Sequence, residues 1–322
     1  MSKSSSNPKI GRSKPTITKR QLDRMKATVD RAWQVFNPDT LRRICEMDER
    51  AFAHAFGLEV TEVGQPAPDN FYAFRDNGSD ILAVAHLDTV SAPQARTCNF
   101  VDTAAGPVVF SRALDDRLGA YVIMDLLPRL GITCDILLTV GEESGMSTAS
   151  FFQPPAGKEY NWVIEFDRGG TDVVMYEYED DDLVELVEAA GADVGMGSFS
   201  DICYLDHLGI KAFNWGVGYR DYHYARSHAF LDDTMGMVAR FVEFHSVWAD
   251  VKMPHEAAPR GWGRGITYGS YGGGWRDEQD EEWAAWHAQW EREQDAKARA
   301  VADIAQLNDD AVTEIVFKEA QG

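Results

Sequence analysis

An α/β fold, with a mostly parallel central sheet flanked by helices, is what this sequence predicts, and three observations carry that reading. Short apolar runs alternate with longer amphipathic stretches between about residues 70 and 250, the pattern of strands joined through helices. The runs ILAVAH, CDILLTV and WVIEF are apolar almost without interruption, as strands covered on both faces must be. Several of them stop abruptly at acidic or imidazole side chains, and ligands in open α/β sheets bind outside the carboxyl ends of the strands.

Taken in order, QLDRMKATVDRAWQVF from Gln21 has the apolar period of a helix. Pro38 breaks it, and Asp39 is placed to cap a second helix through DTLRRICEMDERAFAHAF. FYAF (71–74), ILAVAH (81–86) and PVVF (107–110) read as strands, and RLGAYVIMDLLPRL as a helix with Pro128 near its end. CDILLTV (134–140) and WVIEF (162–166) are further strands, and VVMYEY (173–178) is expected as the neighbour of the latter. DDLVELVEAAG suggests a helix, and KAFNWGVG from Lys211 a strand leaving a turn. DTMGMVARFVEFHSVW is an amphipathic helix with Asp233 as its expected cap.

Composition bounds the rest. The chain has 322 residues, 44% of them hydrophobic, enough for one large core. A net charge of -21 argues against a nucleic-acid-binding surface. No apolar run approaches the ~20 residues of a membrane span. Cys45, Cys98, Cys134 and Cys203 form no metal-spaced pair, which fits thiols in a reducing compartment and a cytoplasmic location. Residues 1–20 are basic without an apolar core, so a disordered tail is expected rather than a secretory signal. Residues 21–252 read as a single main domain and 253–275 as a linker rich in glycine and aromatics. That linker lacks the GK[ST] ending of a phosphate-binding loop. Residues 276–322 read as a helical extension, with Trp283, Trp286 and Trp290 at helical spacing. That stripe calls for packing on the main domain or on a second copy of the chain, which would make a homo-oligomer.

The strand ends carry the chemistry. AHLDTV gives His86 and Asp88, which period-two alternation places on one side of the chain. There the carboxylate can take the imidazole proton and leave the other ring nitrogen for a metal. SRALDDRLG gives Asp115 and Asp116, TVGEESG gives Glu142 and Glu143, and WVIEFDRGG gives Asp167. Like charges gathered at one sheet edge need counterions, and two divalent cations are the simplest supply. A carboxylate and imidazole donor set without cysteine suits zinc, cobalt or manganese.

These segments resemble the motifs of the zinc-dependent exopeptidases of the M20, M28 and M42 clan, over roughly residues 70 to 248. AHLDTV looks like the first metal box, ALDDRLG like the box with the bridging aspartate, and GEESG like the paired-glutamate box. SDICYLDHLGIKAFNWGVG resembles the later serine–aspartate segment. The resemblance implies a zinc-exopeptidase (phosphorylase/hydrolase-like) fold and assigns roles. His86 and Asp167 would be terminal ligands of one metal, with Asp88 orienting His86. Asp115 would bridge both metals, followed by Asp116 across the cis peptide bond frequent in this clan. Glu143 would bind the second metal and Glu142 would be the general base. In GYRDYHYARSHAFLDD, His223 lies ten residues before Asp233 and is taken as the last ligand; His228 is the alternative. Only residues 89–114 separate the first two boxes and 168–222 the last two ligands. The inserted domains of M42 and M20 members are therefore not expected, and the catalytic domain is undivided, as in M28.

The expected function is dinuclear metal-dependent hydrolysis of peptide bonds, with peptides or small amides as substrates and N-terminal residues removed. An aspartate at position 167, where many M20 carboxypeptidases have glutamate, motivates that polarity. A carboxypeptidase, a dipeptidase and an N-acyl-amino-acid deacylase stay open as alternatives. So does a non-enzymatic binding or scaffolding protein that retains the fold.

Overall fold

The computed structural model describes residues 15–64, 70–91 and 96–256, together with 292, 296–297 and 299–300. It opens with three helices, α1 (Lys19–Val35), α2 (Pro38–Glu46) and α3 (Glu49–Ala55). Strands β1 (Glu59–Glu62), β2 (Phe71–Arg75), β3 (Ile81–His86), β4 (Asn99–Thr103) and β5 (Gly106–Phe110) follow. Helix α4 (Leu114–Tyr121) runs on through a π-helical turn, Val122–Leu126, into α5 (Leu127–Leu130). Next come β6 (Asp135–Thr139), β7 (Trp162–Glu165), β8 (Asp172–Val174), α6 (Asp181–Ala189) and β9 (Asp193–Val194). The last elements are β10 (Ala212–Trp215), β11 (Tyr219–Arg220), β12 (His228–Phe230) and α7 (Leu231–Trp248).

The fold is α/β, with a mixed central sheet of eight strands in the order β1-β2-β6-β3-β7-β10-β8-β9. Its middle, β6-β3-β7-β10, is parallel throughout, and β3, β6, β7 and β10 are buried at every position. The edge pairs β1–β2, β2–β6 and β10–β8 are antiparallel. A second sheet has the order β11-β12-β5-β4. Trp162, Trp215, Phe213, Phe241 and Phe244 are fully buried between the sheet and α7, their rings meeting edge to face. The indole of Trp162 donates to the Trp248 carbonyl at 2.9 Å, satisfying the one polar atom that a buried tryptophan brings.

The helix starts differ from the sequence expectations. Thr18 and Gln21 form a reciprocal capping box that starts α1 at Lys19. Asn37, not Asp39, caps α2, accepting from Thr40 N at 3.1 Å with Pro38 in the first turn. The single helix expected to Phe56 is two, because Asp48 starts a new one by accepting from Ala51 N at 2.7 Å. Asp232 and Asp233 lie inside the first turn of α7, after Phe230 at the cap position. VVMYEY is a strand only to Val174, followed by a 3-10 turn, Tyr176–Tyr178. Its partners are β10 and β9 rather than β7.

The chain divides into two compact units, Met1–Phe100 with Val108–Ala257, and Val101–Pro107 with Ala258–Gly322. In the second, Thr103 Oγ1 donates to the Gly106 carbonyl at 2.7 Å and accepts from Ala105 N, closing a turn. The expected tryptophan stripe and most of the expected basic tail fall outside the described residues. Among the described residues no helix is long and apolar enough to cross a membrane.

Helix α4 meets the sheet through Gly119. A Cβ there would lie 2.3 Å from Asp116 Oδ1 and 2.6 Å from the Phe166 carbonyl. An alanine in a helix interior normally stabilises by about 1 kcal/mol over glycine. Here overpacking reverses the sign, and Gly119→Ala is expected to destabilise by about 1–3 kcal/mol. Urea unfolding of both proteins measures this, and an unchanged or higher midpoint would refute it.

Candidate metal centre

Most of the candidate side chains sit at or just past the end of a parallel strand, while Asp115 comes from the start of a helix and His223 from a loop. His86 is the last residue of β3, fully buried. Glu142 and Glu143 follow β6 in a short 3-10 turn, Glu142–Ser144, between Gly141 at φ 86° and Gly145 at φ 68°. Both glycines hold a left-handed backbone that a side chain disfavours. A Cβ on Gly141 would also strike the Met146 carbonyl at 2.6 Å. Asp167 follows β7. Asp115 lies at the start of α4, and the Asp115–Asp116 peptide is cis. His223 lies in the loop between β11 and β12 at φ 67°, a left-handed conformation uncommon outside glycine.

Asp115 is the hinge of the arrangement. Its Oδ1 lies 3.1 Å from His86 Nε2, and its Oδ2 lies 3.1 Å from His223 Nε2. His223 Nε2 is also 2.8 Å from Glu143 Oε2. On the other side, His86 Nε2 is 3.7 Å from Asp167 Oδ1 and 3.7 Å from Glu142 Oε2. One carboxylate thus faces two imidazoles, each with a second carboxylate beside it. Donor atoms of His86, Asp115 and Glu143 lie within 4.8 Å of one another, a grouping able to hold an ion. His228, the alternative ligand, is in β12 instead. Its Nδ1 meets the Arg226 carbonyl at 2.9 Å and its ring packs on Phe110.

The part taken by Asp88 differs from the expectation. Its backbone carbonyl, not its carboxylate, meets His86 Nδ1 at 2.8 Å, while Oδ1 stands 3.7 Å away. Its Oδ2 instead accepts from Glu143 N at 3.2 Å. The carbonyl still fixes the ring orientation and leaves Nε2 toward the cluster.

Two residues that the sequence reading passed over hold Asp167. Asn214 on β10 accepts from Asp167 N at 3.0 Å and donates to its carbonyl at 2.9 Å. The buried Tyr219 hydroxyl donates to Asp167 Oδ1 at 2.7 Å and stands 3.5 Å from Asp115 Oδ1. Only the aromatic-rich GYRDYHY context hinted at Tyr219, and no local pattern marks Asn214.

The electrostatics are those of a site short of positive charge. Burial, then the charges of Asp167, Asp201 and Asp115, push Glu142 up to about 9 against the opposing pull of His86. Burial and the Asp115 charge raise Glu143 and Asp167 to about 7 each. Burial opposes a proton on His86, yet Asp167, Asp115 and Asp88 outweigh it and hold the ring well above its ordinary value. Asp115 is the exception. Burial acts to raise it, but hydrogen bonds from His223 and His86 keep it below the carboxylate range. Buried oxygens on Glu143 (Oε1) and Asp116 (Oδ2) have no hydrogen-bond donor. A crowd of nitrogen and oxygen donors, an unpartnered buried carboxylate oxygen and uncompensated negative charge together fit divalent cations.

No protein-family model matches the chain, and no curated protein does. Among solved structures it is similar to an aminopeptidase, PepT, from Bacillus cereus, at 13% identity over 68% of this chain and 99% of that one, TM-score 0.48. It is also similar to a tripeptidase from Staphylococcus aureus, at 11% identity over 69% and 98%, TM-score 0.47. A Zn-dependent exopeptidase from Parabacteroides distasonis is similar at 14% identity over 73% and 99%, TM-score 0.41. These are likenesses of chain path only.

Because burial and neighbouring charge hold Glu142, Glu143, Asp167 and His86 toward their protonated forms, uptake of a divalent cation is expected to release protons near pH 7 and to tighten as pH rises. Zinc calorimetry in two buffers of different ionisation enthalpy reads the release. Buffer-independent heats would contradict it.

Proposed function

We propose that this protein hydrolyses peptide bonds with the help of two divalent cations, removing N-terminal residues from peptides. The observation that carries the proposal is the Asp115 carboxylate, whose two oxygens each face a different histidine. His86, Asp115 and Asp167 would hold one cation, and Asp115, Glu143 and His223 the other. Zinc, cobalt and manganese all suit these donors. Such cations supply Lewis acidity, which polarises a carbonyl, stabilises the developing oxyanion and acidifies water.

The chain's own residues handle the proton. Glu142 borders the same cavity as Asp115, Glu143, Asp167 and His223. Its nearest cationic partner among the described residues is His86, at 3.7 Å, too far for a hydrogen bond. Nearby positive charge favours the ionised carboxylate, so the loaded site keeps Glu142 able to accept a proton. Glu142 takes the proton of water as its oxygen bonds to the scissile carbonyl carbon. It then passes that proton to the amine as the C–N bond breaks. Asp88 restrains the neighbouring Glu143 peptide, and Asn214 and Tyr219 restrain Asp167. The N-terminal direction rests on the aspartate at position 167, as the sequence resemblance implies.

Two outcomes test the reading. Elemental analysis after reconstitution should find two ions per chain, and His223→Ala should lower that number; at most one ion in the unaltered protein would count against it. Glu142→Gln should keep both ions and lose roughly 10²–10⁴-fold in kcat on peptides with free amino termini. Near-normal turnover of the fully loaded variant would remove Glu142 from this role. Equal turnover of amino-blocked peptides would remove the N-terminal direction.

A further inference from the structure

The cavity lined by Asp115, Glu142, Glu143, Asp167 and His223 has a volume of about 200 Å³, and Arg168 lines it next to Asp167. The guanidinium is fixed side-on by Asp172, with Nε 2.6 Å from Oδ1 and Nη2 2.8 Å from Oδ2. A guanidinium has five N–H donors in a rigid plane. This pairing uses one on Nε and one on Nη2. The Nη1 edge has no protein acceptor among the described residues, and the side chain is 22% exposed.

The loop behind it is built to hold that edge in place. Val217 N donates to the Arg168 carbonyl at 3.0 Å, and Gly216 N donates to the Asp172 carbonyl at 2.8 Å. The ion pair lies directly on the backbone of Gly195. A Cβ there would fall 1.8 Å from Asp172 Oδ2 and 2.9 Å from Arg168 Nη2. An i,i+4 pair that served only to tether a loop on the surface would not need such a bed.

We propose that the free edge of Arg168 binds the terminal carboxylate of the substrate, so that the preferred substrates are peptides of two or three residues with a free carboxyl end. This rests on the peptide-hydrolase reading above and narrows it. Each residue of an extended peptide spans ~3.5 Å. The carboxylate of a di- or tripeptide therefore falls within about 4–8 Å of the carbonyl under attack, the reach of an arginine adjoining a ligand in sequence and sharing its cavity. Planar, end-on pairing with a carboxylate is the geometry a guanidinium favours. The small cavity agrees with a short ligand.

The test compares alanyl-alanine with alanyl-alanine amide, using full-length protein loaded with zinc. The free dipeptide should be preferred by roughly tenfold or more in kcat/KM, the scale of a charge-assisted hydrogen bond. In the double variant Arg168→Met/Asp172→Asn, which leaves no orphan carboxylate, that preference should collapse toward one, mainly through KM. Arg168→Lys should restore part of it. Alanyl-glutamate amide, whose only carboxylate is on a side chain, should be turned over as poorly as alanyl-alanine amide. Equal use of free and amidated dipeptides by the unaltered protein overturns the proposal. So does a parallel loss of both in the variants with metal content and melting temperature retained, as does efficient turnover of alanyl-glutamate amide. Calorimetric binding of the same peptides to Glu142→Gln protein separates the two readings. If the loaded unaltered protein hydrolyses nothing but the free dipeptide still binds tenfold more tightly than its amide, the hydrolase reading fails and the Arg168 assignment stands. Hydrolysis without carboxylate preference gives the reverse.

Discussion

The Asp115 carboxylate lies between two imidazoles, and the site's arrangement depends on that placement. Of the carboxylates of Asp115, Glu142, Glu143 and Asp167, only that of Asp115 is held toward its charged form, because both of its oxygens face nitrogen. Around it stand Glu142, Glu143 and Asp167, all pushed toward the neutral form. Two like charges 4 Å apart repel by about 4 kcal/mol at an effective dielectric of 20. Four carboxylates gathered around two imidazoles call for positive charge to offset that repulsion. The sheet order explains how they meet. In β6-β3-β7 the strand ending at His86 lies between the one leading to Glu142 and Glu143 and the one leading to Asp167. The parallel direction brings all of these ends to one edge. The start of α4 then delivers Asp115 to its centre.

What the sequence made legible was whatever repeats at a fixed local interval. β3, β6, β7 and β10 were visible because strands buried on both faces must be apolar throughout, and their acidic ends were visible as interruptions of that run. The antiparallel sheet of β4, β5, β11 and β12 was mostly missed. β5 is visible as PVVF, but β11 and β12 have two and three residues, too few for a pattern that distinguishes them from a loop, and β4 has no buried position to make an apolar run. The break between α2 and α3 was missed because a capping aspartate, Asp48, stands among other charged residues in EMDER, where nothing local sets it apart.

The site divides in the same way. His86, Glu142, Glu143 and Asp167 stand out as residue types at strand ends, and His223 only through the family resemblance, but the contacts that hold them do not. Asn214 grips both polar groups of the Asp167 backbone from 47 residues away, and Asp88 supports Glu143 across 55. Such bonds depend on the register of neighbouring strands and leave no trace at the level of spacing. The Asp88 carbonyl against His86 shows a subtler limit. Residue 88 lies beyond the end of β3 and meets His86 through its carbonyl; any residue there offers a carbonyl, so the identity of the side chain could not tell which oxygen the imidazole would take.

The restraints are unevenly distributed, and under the proposed hydrolase reading that unevenness has a chemical sense. Asp167 is fixed through its backbone and through Oδ1, and the Glu143 peptide is held by Asp88. Asp115 is caught at both oxygens. A group that binds an ion benefits from such fixing, because rotamer freedom lost in folding need not be lost again on binding. A group that must accept a proton and then release it benefits from the opposite, since every donor aimed at its oxygens lowers its basicity. Glu142 is the member of the cluster with the weaker ties, adjoining in sequence a residue whose peptide is pinned. Two neighbouring glutamates on one tight turn therefore meet different environments: one is directed by its anchored backbone toward His223, and the other is left to the cavity.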